Sequence, residues 1–179
     1  MKKQNEQRKT TVKHTHCDRS GADLRTTGHT MSRFNTDEIC QVCQEVERRH
    51  PEYQHAVEVE LAEIRRGNYN YHGAGLPADM QEQQNSYRIT KAHASSARKW
   101  SDAAQEVAFK SHAARPHAIR ALEESLEATC AAINAEYSIR TGDSAAVYAA
   151  EQKAHQAAKS AEQFAIQAIA ALQNEAKNN

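Results

Sequence analysis

From residue 79 to about residue 176 the chain meets only two helix breakers, Pro116 and Gly142, and a small or apolar residue returns every three or four positions. That pattern reads as a set of long helices and leaves little room for anything else. Three stripes can be traced. Ile89, Ala92, Ser96, Trp100, Ala103 and Val107 make the first. Ile119, Leu122, Leu126, Thr129, Ile133 and Tyr137 make the second. Val147, Ala150, Ala154, Ala158, Ala161, Ala165, Ala168 and Leu172 make the third. Steps of three and four alternate along them, as in the seam of a coiled coil. Pro116 is placed to open one helix, and Thr141-Gly142-Asp143-Ser144 supplies a glycine stop followed by an Asp/Ser cap. Each helix is then roughly 35–50 Å long at 1.5 Å per residue. Alanine lets axes approach closely but buries little area, so the last helix needs the others, or a second copy, to dock on. The expectation for 79–176 is an antiparallel helical hairpin or three-helix bundle with Trp100 as an anchor. Cys130 is expected as a packed small residue near the buried stripe. His112, His117 and His155 are a remote candidate for a metal site across the helices.

The same composition narrows the function classes. Aromatics make up 6% of the residues, too few for a thick aromatic core or a conventional deep cleft. No stretch reaches the roughly 20 apolar residues that span a bilayer. Met1 to Arg8 lack the apolar stretch of a signal peptide, so the chain is expected to work inside a cell, where spaced cysteines bind metal more often than they form disulfides. Net charge is zero, but residues 1–35 hold eight Lys/Arg (Lys2, Lys3, Arg8, Lys9, Lys13, Arg19, Arg25, Arg33) against Glu6, Asp18 and Asp23. A basic N-terminal third permits contact with nucleic acid or an acidic protein.

That third carries the chemistry. Residues 1–13 read as a disordered polar leader, 14–66 as a finger-like head with two helices, and 67–78 as a Gly/Tyr loop joining head to tail. Leu24-Arg25-Thr26 and Thr30 to Phe34, around Thr27-Gly28-His29, suit a short β-hairpin. Asn35 with Glu38 three residues on matches a capping-box start, followed by Ile39, Val42 and Val46 at helical spacing. Pro51 opens a further helix to about Arg66, striped by Tyr53, Val57, Leu61 and Ile64, and Gly67 ends it. Cys40-x-x-Cys43 lies near the first helix start. Upstream, Cys17-Asp18-Arg19-Ser20-Gly21 has the shape of a zinc knuckle with serine where the second thiolate belongs. His14-x-x-Cys17 supplies the missing pair at the same spacing. Knuckle, hairpin, then a helix bearing the second pair is the order of a treble-clef finger. Zinc takes four N/S ligands in a tetrahedron, so the expected set is His14, Cys17, Cys40 and Cys43, with His16 or His29 as substitutes for His14. A metal-free mini-fold with buried cysteines is the alternative. Treble-clef nucleases need a catalytic His on the hairpin, a part His29 could take. They also need His/Asn ligands on the following helix, where only His50 stands, at its end. No enzyme activity is expected.

Three blocks carry a resemblance: Ser32-Arg33-Phe34-Asn35-Thr36-Asp37-Glu38-Ile39-Cys40-x-x-Cys43, then Glu47-Arg48-x-His50-Pro51-x-Tyr53, then Arg65-Arg66-Gly67-Asn68-Tyr69-Asn70. In their order and spacing they resemble a family of small, uncharacterised proteins borne by bacterial plasmids, phages and related mobile elements. The match covers about residues 14–80, and members often have cysteine where this chain has Ser20. It implies a phage or mobile-element origin and a bacterial cytoplasm, and brings no activity with it. The reading that follows is a non-enzymatic interaction protein that binds a host or self protein and in doing so modulates a host or defence enzyme. Homo-oligomers through the helical tail are compatible with it. The alternative is a nucleic-acid-binding accessory protein that uses the basic finger. For Asn68-Tyr69-Asn70-Tyr71-His72, tyrosines packed over the head's helices are preferred to a stacking surface for bases.

Overall fold

The structure is a computed structural model and describes residues 15–178. It is mainly helical, with a knuckle–hairpin–helix head followed by three long helices. The leader and His14 lie outside the described residues.

The head differs from expectation in where its hairpin falls. Asp23 takes the N–H of Arg25 on its carboxylate, and the hydroxyls of Thr26 and Thr27 donate to its carbonyl. Those local bonds wind Leu24–Thr27 into a single turn, α1. The strands are instead β1 (His29–Met31) and β2 (Glu38–Cys40), antiparallel with Thr30 opposite Ile39. Asn35 does not cap a helix. Its side-chain oxygen accepts from the Asp37 N–H, and the Ser32 N–H donates to the Asp37 carbonyl, so Ser32–Asp37 becomes the hairpin turn. β2 runs straight into α2 (Gln41–Arg49), with Cys40 at its N-cap. Helix α3 (Tyr53–Arg65) starts two residues past Pro51 and ends at Gly67, whose φ of 86° admits the reversal. Of its stripe, Leu61 and Ile64 face solvent and Ala56 is the buried residue.

The three long helices, α4 (Ala78–Ala108), α5 (Arg115–Thr141) and α6 (Ser144–Asn178), all pack on one another. Their ends follow the punctuation in the sequence. Pro116 lies in the first turn of α5. Gly142 closes that helix in the left-handed region, and the Asp143 carboxylate accepts the Ala146 N–H at the start of α6. The seam of α6 is the expected one through Ala168, from Val147 and Ala150 onward.

The seams of α4 and α5 are not. On α5 the buried side is Ala118, Ala121, Ser125, Ala128, Ala131, Ala135 and Ser138, with Ile139 where the head packs on it. Ile119, Leu122, Leu126, Ile133 and Tyr137 are 41–69% exposed, and Cys130 among them is exposed too. On α4 the buried set is rotated likewise, to Met80, Tyr87, Thr90, Ala97, Ser101 and Ala104, with Ile89 outside. Size decides this. Three helices that meet on alanine stripes come too close for a leucine to enter between them, and close-packed interiors do not open to accept one. Trp100 sits at the edge, partly buried against two of the alanine clusters.

Head and bundle share one core. Cys17, Leu24, Ile39, Cys40 and Cys43 pack with Tyr87 of α4, Ala135 and Ile139 of α5, and Val147 and Ala150 of α6. The 67–77 connection folds back on the head through its glycines. The Gly75 N–H donates to the Phe34 carbonyl at 2.7 Å, and a Cβ on Gly73 would lie 2.3 Å from that oxygen. Tyr69, contrary to expectation, is 80% exposed.

Candidate metal centre

The knuckle is a turn closed by the Gly21 N–H on the Cys17 carbonyl and the Cys17 N–H on the Ala22 carbonyl, both at 2.8 Å. Gly21 takes a φ of 72°, which a glycine adopts without strain. The turn aims two backbone N–H groups, from Ser20 and Cys40, at Cys17 Sγ, each at 3.4 Å. β2 and the first turn of α2 bring Cys40 and Cys43 to the same point. The three sulfurs lie within 4.8 Å of one another, with Cys17 3%, Cys40 0% and Cys43 2% exposed.

Among the described residues this trio is the one group of His, Cys, Asp and Glu close enough to hold a metal ion. The donor set fits such an ion. At a Zn–S length of about 2.3 Å the edge of a tetrahedron is about 3.8 Å, and Cys17 Sγ and Cys43 Sγ stand 3.7 Å apart. The positive end of α2 and the backbone N–H groups favour thiolate here. Hydrogen bonds from Cys17 and Cys43 hold the Cys40 thiol far below its ordinary range. The same neighbours, together with burial, push Cys43 far up.

Neither histidine substitute joins the trio. His16 is exposed, with its Nδ1 2.8 Å from the Thr15 hydroxyl, and His29 is exposed on β1. The sequence reading marked Ser20 only as a missing thiolate. In the structure its side chain is fully buried beside the sulfurs, with Oγ 3.7 Å from Cys40 Sγ.

A second, charged layer supports the knuckle. Glu47, 0% exposed, accepts from Arg19 Nη2 at 2.7 Å, from the Ser32 hydroxyl at 2.5 Å and from the Arg33 N–H at 3.2 Å. Arg19 Nε donates to Asp37 at 3.1 Å. Phe34 stacks edge-on with His50 and Tyr53. The blocks Ser32–Asp37, Glu47 and His50–Tyr53 thus converge in space as one support. From α4, the Tyr87 hydroxyl donates to the Ser20 carbonyl at 2.7 Å and Gln84 donates to the Asp18 carbonyl at 2.9 Å. These two contacts had no signal in the sequence beyond a polar residue in a helix.

Other candidates resolve differently. His155 pairs with His93 of α4, ring centroids 4.7 Å apart; it forms no metal-sized cluster with His112 and His117. Of the eight basic residues of the N-terminal third, the described three are each bound to carboxylate: Arg19 to Glu47 and Asp37, Arg25 to Asp23, Arg33 to Glu60. No described helix is long and apolar enough to cross a membrane. No protein-family model, curated protein or solved structure matches the chain.

Proposed function

We propose that this chain is a non-enzymatic interaction protein of a phage or mobile element. In this reading its head is held by zinc on Cys17, Cys40 and Cys43, and its bundle presents the outer face of α5 to a helix of another protein. One observation carries the reading: the large apolar residues of α5 point away from the bundle. Phe109, 88% exposed, stands beside Ile119 and Leu122 and extends this row of large apolar side chains in water. Large apolar side chains gathered along one helix face mark an interaction surface, where singly scattered ones do not.

Charge selects the occupant. Glu123, Glu124 and Glu127 lie beside the stripe; Glu123 pairs with Arg120 and Glu127 with Lys153, while burial and Glu127 raise the carboxyl of Glu124. A helix with one apolar face and Lys/Arg on its flanks meets them favourably. The nucleic-acid reading is weakened because the described arginines among residues 1–35, Arg19, Arg25 and Arg33, are bound to carboxylate.

Two synthetic amphipathic helices, equal in their leucine stripe and flanked by Lys or by Glu, test this by fluorescence anisotropy. The Lys-flanked peptide should bind at least ten-fold tighter than the Glu-flanked one. Its binding should survive added salt in part and vanish in Leu126→Asp/Ile133→Asp. Binding of neither peptide, together with a shift of DNA at physiological salt, overturns the reading in favour of phosphate recognition. Self-association that disappears in the same variant gives the face to a second copy instead. For the metal, elemental analysis should find about one zinc per chain, absent from Cys40→Ser/Cys43→Ser.

A further inference from the structure

We infer that Ser20 Oγ, and not a histidine, is the fourth ligand of the head's metal, making an S3O site; this rests on the zinc reading above. A tetrahedron with Zn–S of about 2.3 Å and Zn–O of about 2.0–2.2 Å has a sulfur–oxygen edge of about 3.5–3.7 Å. Ser20 Oγ lies 3.7 Å from Cys40 Sγ, while the opposite pair, Cys17 Sγ and Cys43 Sγ, is also 3.7 Å apart. Two opposite edges of the tetrahedron are therefore already at metal-bound length before any ion enters.

The hydroxyl is also held there. Ser20 is 0% exposed, so bulk water has no open path to that corner. Its Oγ accepts the Ala22 N–H at 3.4 Å, its own N–H points at Cys17 Sγ, and its carbonyl is tied to the Tyr87 hydroxyl. The residue is fixed by two backbone contacts and one to its side chain, and these leave Oγ beside Cys40 Sγ. Of the two alternative ligands that are described, His16 and His29 are both exposed and outside the trio.

The chemistry of such a site differs from that of four thiolates. Three thiolates and a neutral hydroxyl leave a net charge of −1 on the zinc centre, where four thiolates leave −2. The oxygen is the weakest donor of the four and a hard one, so the site should hold zinc less tightly than a four-cysteine knuckle.

The test uses the full chain loaded with cobalt(II) or zinc, with X-ray absorption reading the ligand atoms and a competing chelator reading affinity. Wild type should show three sulfurs and one oxygen. Ser20→Cys should show four sulfurs, an intensified sulfur-to-cobalt charge-transfer band and at least ten-fold tighter zinc. Ser20→Ala should bind zinc at least ten-fold more weakly, and His14→Ala should match wild type. Zinc held with wild-type affinity by Ser20→Ala, or a nitrogen ligand that vanishes in His14→Ala, overturns the assignment of Ser20 and leaves the metal reading standing. A wild-type chain that takes up no zinc overturns the metal reading and this assignment with it. Circular dichroism of each variant separates a lost ligand from a lost fold.

Discussion

Residues 126 and 128 are neighbours on α5 that face opposite ways, and exchanging their sizes tests the bundle directly. Ala128 is 0% exposed and packs among Ala97 of α4 and Ala157, Ala158 and Ala161 of α6. Ala128→Leu forces three extra carbons into a seam with no room, which costs about 1–3 kcal/mol. For a chain of this length that lowers Tm by about 2–12 °C. Leu126 is 58% exposed. Full burial of a leucine is worth about 1.5–3 kcal/mol, so truncation to alanine here should cost about 1 kcal/mol or less. Thermal melts followed by far-UV circular dichroism give both numbers. If the hydrophobic stripe were the inner one, the order would reverse. Leu126→Ala would then cost about 2–5 kcal/mol, and Ala128→Leu would pass as a surface change. A stability loss larger for Leu126→Ala than for Ala128→Leu refutes the orientation of α5 described here, and the docking face with it.

Two further outcomes follow from buried and half-buried charge. Glu47→Gln removes one of the two carboxylates paired with Arg19, itself 4% exposed, and leaves Asp37 as the other; it should cost about 1.5–3 kcal/mol in denaturant titration. The paired change Arg19→Met/Glu47→Leu should recover much of that loss, whereas independent losses in the two positions would refute coupling. His93 faces His155, Glu151 and Lys159, and burial first, then His155, lowers its pKa below the ordinary value. The unfolded chain therefore takes up this proton first as pH falls through about 6.5. Stability contributed by neutral His93 is intact above that pH and is lost as pH drops through the folded value. His93→Gln should flatten the fall of Tm between pH 7.5 and 5, and an unchanged slope would show that this pair does not titrate with folding.

How much of this was legible depended on whether the signal was local. Gly142, Asp143 and Pro116 act within one turn of themselves, and the helix boundaries they imply are where they should be. The seam of α6 was readable because its small residues and its apolar residues are the same residues. On α5 they are not, and ranking side chains by hydrophobicity picked the outer face. What selects the inner face is the distance between three helices, a property no single helix displays. In the head, the side-chain bonds of Asp23 and Asn35 to their own backbone moved the hairpin by half its length. Such Asx chemistry competes with helix capping at the same residue types. At the metal centre, the pairing of Cys17 with Cys40-x-x-Cys43 could be read from spacing. The contacts that hold the knuckle from α4, Tyr87 and Gln84, lie 66–67 residues away along the chain, beyond any local pattern.

The distribution of large side chains explains why head and bundle share a core. A seam of alanines contributes about one methyl group per contact, and each such contact is small. The large, fully buried apolar residues, Phe34, Ile39 and Val147, gather at the head end. Ile139, 5% exposed, and Tyr87, also 5% exposed, complete the same region. The head therefore acts as the plug that the open end of an alanine bundle lacks. The knuckle in turn relies on the Tyr87 hydroxyl for the position of Ser20. Order in the cysteine cluster and order at that end of α4, α5 and α6 are then one equilibrium, since neither can loosen without exposing the core the other needs. At the far end Trp100, Val107 and Phe164 pack against the alanine core from its edge, while Phe109 and the start of the outer stripe of α5 stay exposed.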